Sequence, residues 1–75
     1  MSTAYTFVER VEANEGWHIS IVPGGFKYTA QDDAEMTLER FDPHPDIDVA
    51  AECGGTIPKG TCVTVSGSVA LIEKP

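Results

Sequence analysis

Trp17-His18-Ile19-Ser20-Ile21-Val22-Pro23-Gly24-Gly25-Phe26-Lys27-Tyr28-Thr29-Ala30 is the stretch that decides the fold of this chain. Trp17, Ile19 and Ile21 alternate with His18 and Ser20, the period of two that marks a half-buried strand. After Val22, Pro23 brings a fixed φ to the second turn position and Gly24 brings freedom for positive φ to the third, as a type II turn requires. Beyond the turn Phe26, Tyr28 and Ala30 face one way while Lys27, Thr29 and Gln31 face the other. Two alternating runs about a tight turn read as an antiparallel hairpin.

Outward from this hairpin the same grammar repeats. Residues 5–11 are rich in aromatic and β-branched side chains, with Tyr5, Phe7 and Val11 on one face; Glu9 interrupts that face, which an edge strand tolerates. Asn14-Glu15-Gly16 reads as a turn. Residues 32–41 admit two readings. Asp32 followed by Glu35 resembles a capping box, and Ala34, Leu38 and Phe41 share a helical stripe, so one short helix is possible there. The strand reading puts Met36 and Leu38 inward, and the strand-like neighbours favour it. Asp42-Pro43-His44-Pro45 must be a loop, because its two prolines remove backbone donors and restrict the residues before them.

Ile47, Val49, Ala51 and Cys53 then alternate with Asp46, Asp48, Ala50 and Glu52, which predicts a half-buried strand ended by Gly54-Gly55. Residues 61–66 form a further strand with Val63 and Val65 inward, Gly67 a reversal, and residues 68–73 the last strand. The string Ile57-Pro58-Lys59-Gly60-Thr61-Cys62-Val63-Thr64-Val65 resembles the β-hairpin that closes many small five-stranded barrels, among them the soluble domain of NfeD-type membrane proteins. The expected fold is all-β: a small antiparallel barrel or sandwich of six to seven short strands in one domain spanning residues 1–75.

Size and composition bound the function. A chain of 75 residues makes one domain with a modest core, too small to enclose a deep active site. Hydrophobic residues at 41% and charged residues at 23% are ordinary for a folded globular chain. The N-terminus lacks a basic start and apolar run, and Val69-Ala70-Leu71-Ile72 is far too short to span a membrane, so a soluble, cytoplasmic protein is expected, in the host cytoplasm if a phage encodes it.

The candidate chemical groups assemble into no motif. Cys53 and Cys62 flank a turn-bearing segment, but Cys53 falls with Val49 and Ala51 whereas Cys62 falls opposite Val63 and Val65; opposed residues of a hairpin share a face, so two free thiols are expected. With His18 and His44 these cysteines make a zinc inventory without the paired short spacings of a zinc site. Asp42, His44, Asp46 and Asp48 have calcium-loop spacing, yet Ile47 stands where an EF-hand needs Gly and Cys53 where it needs Glu. No catalytic residue, metal or cofactor is expected, and the protein is read as a non-enzyme.

Charge is the informative feature. Eight carboxylates, Asp32, Asp33, Glu35, Glu39, Asp42, Asp46, Asp48 and Glu52, lie between Gln31 and Cys53 against the single base Arg40. The remaining Glu9, Glu12, Glu15 and Glu73 are balanced by Arg10, Lys27, Lys59 and Lys74, so this one segment generates the whole net charge of -7. A field of one sign selects a partner of the other and repels nucleic acid and anionic lipid. On a strand, residues two apart project about 6.6 Å apart on one face, so Asp46, Asp48 and Glu52 are expected as an outward row that imitates a phosphate backbone. With Asp32, Asp33, Glu35 and Glu39 they form the expected partner-binding set.

The expected function is therefore a small acidic protein that binds a Lys/Arg-rich surface of a larger protein and blocks it. In size and charge it resembles phage-encoded inhibitors of host defence, anti-CRISPR proteins included. The alternative is a structural assembly subunit, such as a phage particle decoration protein, that self-associates with Trp17, Phe26 and Tyr28 as interface anchors.

Overall fold

The hairpin about Pro23-Gly24 forms as its residues dictate. In a computed structural model describing residues 2–75, β3 (Trp17–Val22) pairs antiparallel with β4 (Gly25–Ala30), Trp17 opposite Ala30 and Ile21 opposite Phe26. Gly24 takes φ +79°, the value a type II turn needs at that position. Gly25 is fixed by contact instead: a Cβ there would lie 1.8 Å from the Val65 carbonyl oxygen.

The other strands are β1 (Ser2–Tyr5), β2 (Val8–Ala13), β5 (Met36–Arg40), β6 (Ile47–Asp48), β7 (Cys62–Ser66) and β8 (Val69–Glu73), with one helical turn, α1 (Val49–Glu52), between β6 and β7. They form two antiparallel sheets, a larger one ordered β1-β8-β7-β4-β3 and a smaller one ordered β2-β5-β6. The all-β expectation holds, with eight strands among the described residues in place of six to seven. The architecture is sandwich-like and not a closed barrel, since β1 and β3 remain edges of the larger sheet while β2 and β6 remain edges of the smaller.

Two local readings are corrected, and the alternatives at residues 32–41 resolve to the favoured strand. The run at residues 5–11 is two strands in different sheets, β1 and β2, separated by a corner at Phe7, whose φ of +59° lies in the left-handed region. Glu9 does not interrupt an inward face, because a bulge between Val8 and Arg10 shifts the register and lets both Val8 and Val11 turn toward the core. Residues 32–41 follow the strand reading, with no helix. Asp33 sits at φ +59° in a tight turn, and Met36–Arg40 is the central strand of the smaller sheet, with Met36 and Leu38 buried.

The second correction concerns residues 47–53, where the strand ends after Asp48 and α1 begins. Asp48 caps the helix, its carboxylate accepting the Ala50 N–H at 3.1 Å. Gly55 donates to the Ala50 carbonyl at 2.8 Å and Gly54 to the Ala51 carbonyl at 3.2 Å, the paired bonds of a Schellman stop, with Gly54 at φ +90°.

Leu38, Val49 and Val63 are fully buried, drawn from the smaller sheet, the helix and the larger sheet respectively, and Val8, Trp17, Ala30, Met36, Ala70 and Ile72 pack around them. Each of the larger of these, Leu38, Met36, Ile72 and the three valines, contributes about 1.5–3 kcal/mol relative to remaining exposed. The inward row of the hairpin is only partly covered, contrary to its sequence pattern. Trp17 is buried, but Ile19 is 54%, Ile21 86% and Phe26 49% exposed. Three strands cannot cover five, and the strip over the β3 edge is left open.

Candidate acidic interface

The smaller sheet has an inner face, where Val11, Met36, Leu38 and Ile47 meet the core, and an outer face whose composition follows from register. Arg10 lies opposite Glu39, Glu12 opposite Thr37, and Thr37 opposite Asp48. Period two then puts Arg10, Glu12, Glu39 and Asp48 on one outward surface, with Asp46 at its rim. The outer face of the larger sheet is nearly free of charge, carrying Lys27 and Glu73 among Ser20, Thr29, Cys62, Thr64 and Ser66.

The acidic set anticipated from sequence is distributed over this surface and its borders. Asp32 and Asp33 are exposed in the turn between β4 and β5. Glu35 is exposed just before β5, and its backbone is held by Asn14, whose side chain accepts from the Glu35 and Gly16 N–H groups at 3.0 Å and donates to the Asp33 carbonyl at 2.7 Å. Glu39 is half-buried on β5 and accepts from Arg10 at 3.0 Å. Asp42 is exposed in the loop after β5, and the exposed Asp46 accepts the Arg40 N–H at 3.4 Å.

The expected row of Asp46, Asp48 and Glu52 does not form. Because Val49–Glu52 is helical, Glu52 leaves the strand line and accepts a hydrogen bond from the Tyr5 hydroxyl on β1. Burial, then the Glu52 bond and charge, push the Tyr5 hydroxyl up to about 12 from 10.0. What sequence reading missed was the helix, whose signal was present as Asp48, the Ala50-Ala51 pair and Gly54-Gly55.

One cation organises the acidic surface. The Arg10 guanidinium bonds both Glu39 and Glu12. The Glu39 hydrogen bond, then the charges of Glu39 and Glu12, hold the Arg10 guanidinium above its ordinary range. A shallow open groove of about 530 Å³ runs along this part of the sheet, lined by Arg10, Glu12, Asn14, Glu35 and Thr37 among others. Arg40 is turned aside, its guanidinium donating to the Pro45 carbonyl at 2.9 Å. The second cation within the acidic region therefore leaves the strand face to the carboxylates.

The thiols are free and half-buried: Cys62 on β7 beside the Thr29 hydroxyl, Cys53 as the C-cap of α1. Cys53 ends a helix and is not a strand residue, so the strand facing expected of it does not hold although both thiols are free. His18 is exposed on β3, and His44 stacks on Phe7 with ring centroids 4.3 Å apart. Among the described residues no three His, Cys, Asp or Glu side chains converge as a metal-holding group, and no helix is long and apolar enough to cross a membrane. Comparison of the chain with protein-family models, with curated proteins and with solved structures gives no match.

Proposed function

We propose that this protein is a non-catalytic blocker whose smaller sheet docks on a Lys/Arg-rich surface of a larger protein and competes there with a polyanion such as nucleic acid. The observation that supports this reading is the segregation of charge between the two sheets. Glu12, Glu39, Asp46 and Asp48 share one outer surface bordered by Asp32, Asp33, Glu35 and Asp42, while the opposite outer surface is close to neutral. A molecule polarised in this way approaches a basic groove with one face forward, and the field speeds association as well as orienting it. Glu52, tied to Tyr5, stands apart from the docking surface.

The test neutralises charge without disturbing the fold. Asn serves as an N-cap as well as Asp and tolerates positive φ, so Asp48→Asn keeps the α1 cap and Asp33→Asn keeps its turn. A protein carrying these two changes with Asp32→Asn and Asp46→Asn should melt as the native chain does. Host proteins retained on the immobilised native protein at about 0.1 M salt should be released near 1 M, where screening falls to about 3 Å, and should not be retained by the variant. Equal retention by both proteins would remove the acidic surface from the function.

A further inference from the structure

The open flank of the sandwich carries a second surface, unrelated to the acidic one. β3 is the edge of the larger sheet on this flank and pairs along one side only, with β4. The β3 edge has free backbone groups whose identity follows from the ladder. Ala30 donates its N–H to the Thr61 carbonyl at 2.8 Å and accepts from the Gly60 N–H at 2.9 Å, so both its backbone groups point away from β3. Bonded and non-bonded pairs alternate along an antiparallel ladder, so Trp17, opposite Ala30, and then Ile19 and Ile21 turn their N–H and C=O groups to the free edge. The same residues carry the exposed apolar row, Ile19 at 54% and Ile21 at 86%, with Phe26 at 49% beside Ile21.

We propose that this flank is the interface of a homodimer in which β3 pairs antiparallel with β3 of a second copy. The two-fold axis passes beside Ser20, so Ile19 of each copy lies opposite Ile21 of the other and each of these pairs exchanges two backbone hydrogen bonds.

Charge selects a second copy as the occupant. A chain of net charge -7 joins itself with least repulsion where that charge is absent, and residues 16–26 contain no Asp, Glu, Lys or Arg. The strand also lacks what edges use to prevent pairing: no Lys, no Pro and no bulge interrupts Trp17–Val22. Area agrees. With about 200 Å² for a large apolar side chain in the open, Ile19, Ile21 and Phe26 leave roughly 350 Å² uncovered per copy. With Phe26 one strand in from the seam, the isoleucine rows and the paired β3 backbones make an interface at the small end of the range for specific contacts. The dimer adds to the acidic-surface reading and does not depend on it.

Sedimentation equilibrium and oxidative cross-linking test the proposal together. The native protein should be dimeric at micromolar concentration, and should remain so in about 1 M salt because no attraction between opposite charges holds it. Ile21→Asp places one carboxylate per copy in the seam and should raise the dimer dissociation constant at least about a hundredfold with an unchanged circular dichroism spectrum. In a background of Cys53→Ala and Cys62→Ala, Ser20→Cys should form an intermolecular disulfide under mild oxidant, because the axis brings the two Cα atoms to about 4.5 Å. A native protein that stays monomeric up to about millimolar concentration, or binds a foreign protein through Ile21 as a monomer, overturns the proposal. So does a dimer that ignores Ile21→Asp and leaves Ser20→Cys uncross-linked. Loss of partner retention in the Asp→Asn protein with the dimer intact would assign the two surfaces separate roles.

Discussion

Tyr5 and Glu52 join strand β1 to the helix α1 through a single hydroxyl, and the chemistry of that contact can be read in solution. The neutral hydroxyl is favoured first by burial and then by donation to the Glu52 carboxylate, which raises its ionisation to about 12. A group whose folded value lies above its ordinary 10.0 contributes stability that is complete below pH 10 and is lost as pH climbs through about 12. In a tyrosinate absorbance titration Tyr5→Phe should therefore remove a step near pH 12, and Glu52→Gln should bring that step down only part-way, since burial is the larger cause. A Tyr5→Phe protein that retains the step would refute the assignment. The same carboxylate illustrates why residue type does not fix a role: Glu52 reads as one more acid in an acidic segment, yet it holds β1 against the helix.

Between elements, α1 shows where the sequence pattern was legible and where it was not. The hairpin at Pro23-Gly24 and the strands around Val63 and Ala70 follow from period two because their side chains differ sharply in character from one face to the other. At residues 47–53 the contrast is weak, since Ala50 and Ala51 fit either face and alternation there carries no preference. The deciding information lies in end signals: an Asp cap, two strong helix formers and a Gly-Gly stop. Asp48→Ala should cost about 0.5–2 kcal/mol in urea unfolding while Asp48→Asn changes little, because either Asp or Asn can accept the Ala50 N–H. Equal losses from the two substitutions would mean that the charge of Asp48, and not its capping bond, supports the turn. A second limit of periodicity appears in β3. Alternation predicts which way Ile19 and Ile21 point, but burial depends on whether another element stands above them, and the width of the smaller sheet is set elsewhere in the chain. The acidic surface was legible in composition, whereas its division among an outer sheet face, two turns and a helix was not, because register decides it.

The whole molecule has one acidic surface, one nearly neutral surface and one apolar flank, and Arg10 sets how strongly the first repels itself. This exposed guanidinium bonds Glu12 and Glu39 at once. Arg10→Gln takes the net charge from -7 to -8 and leaves these two carboxylates beside Asp46 and Asp48 without a counter-charge. Like charges across a sheet destabilise it, so the variant should melt below the native protein at low salt. The difference should close near 1 M salt, where the screening length is about 3 Å. A deficit that persists at high salt would point to lost packing of the arginine stem instead. Partner binding should move in the opposite direction. If the outer face of the smaller sheet meets a basic groove, removing its one bridging cation deepens the negative field and increases the association rate, most at low salt. Slower association by Arg10→Gln would mean that Arg10 itself touches the partner, and would replace a docking surface of carboxylates alone with a mixed one centred on the Glu12–Arg10–Glu39 bridge.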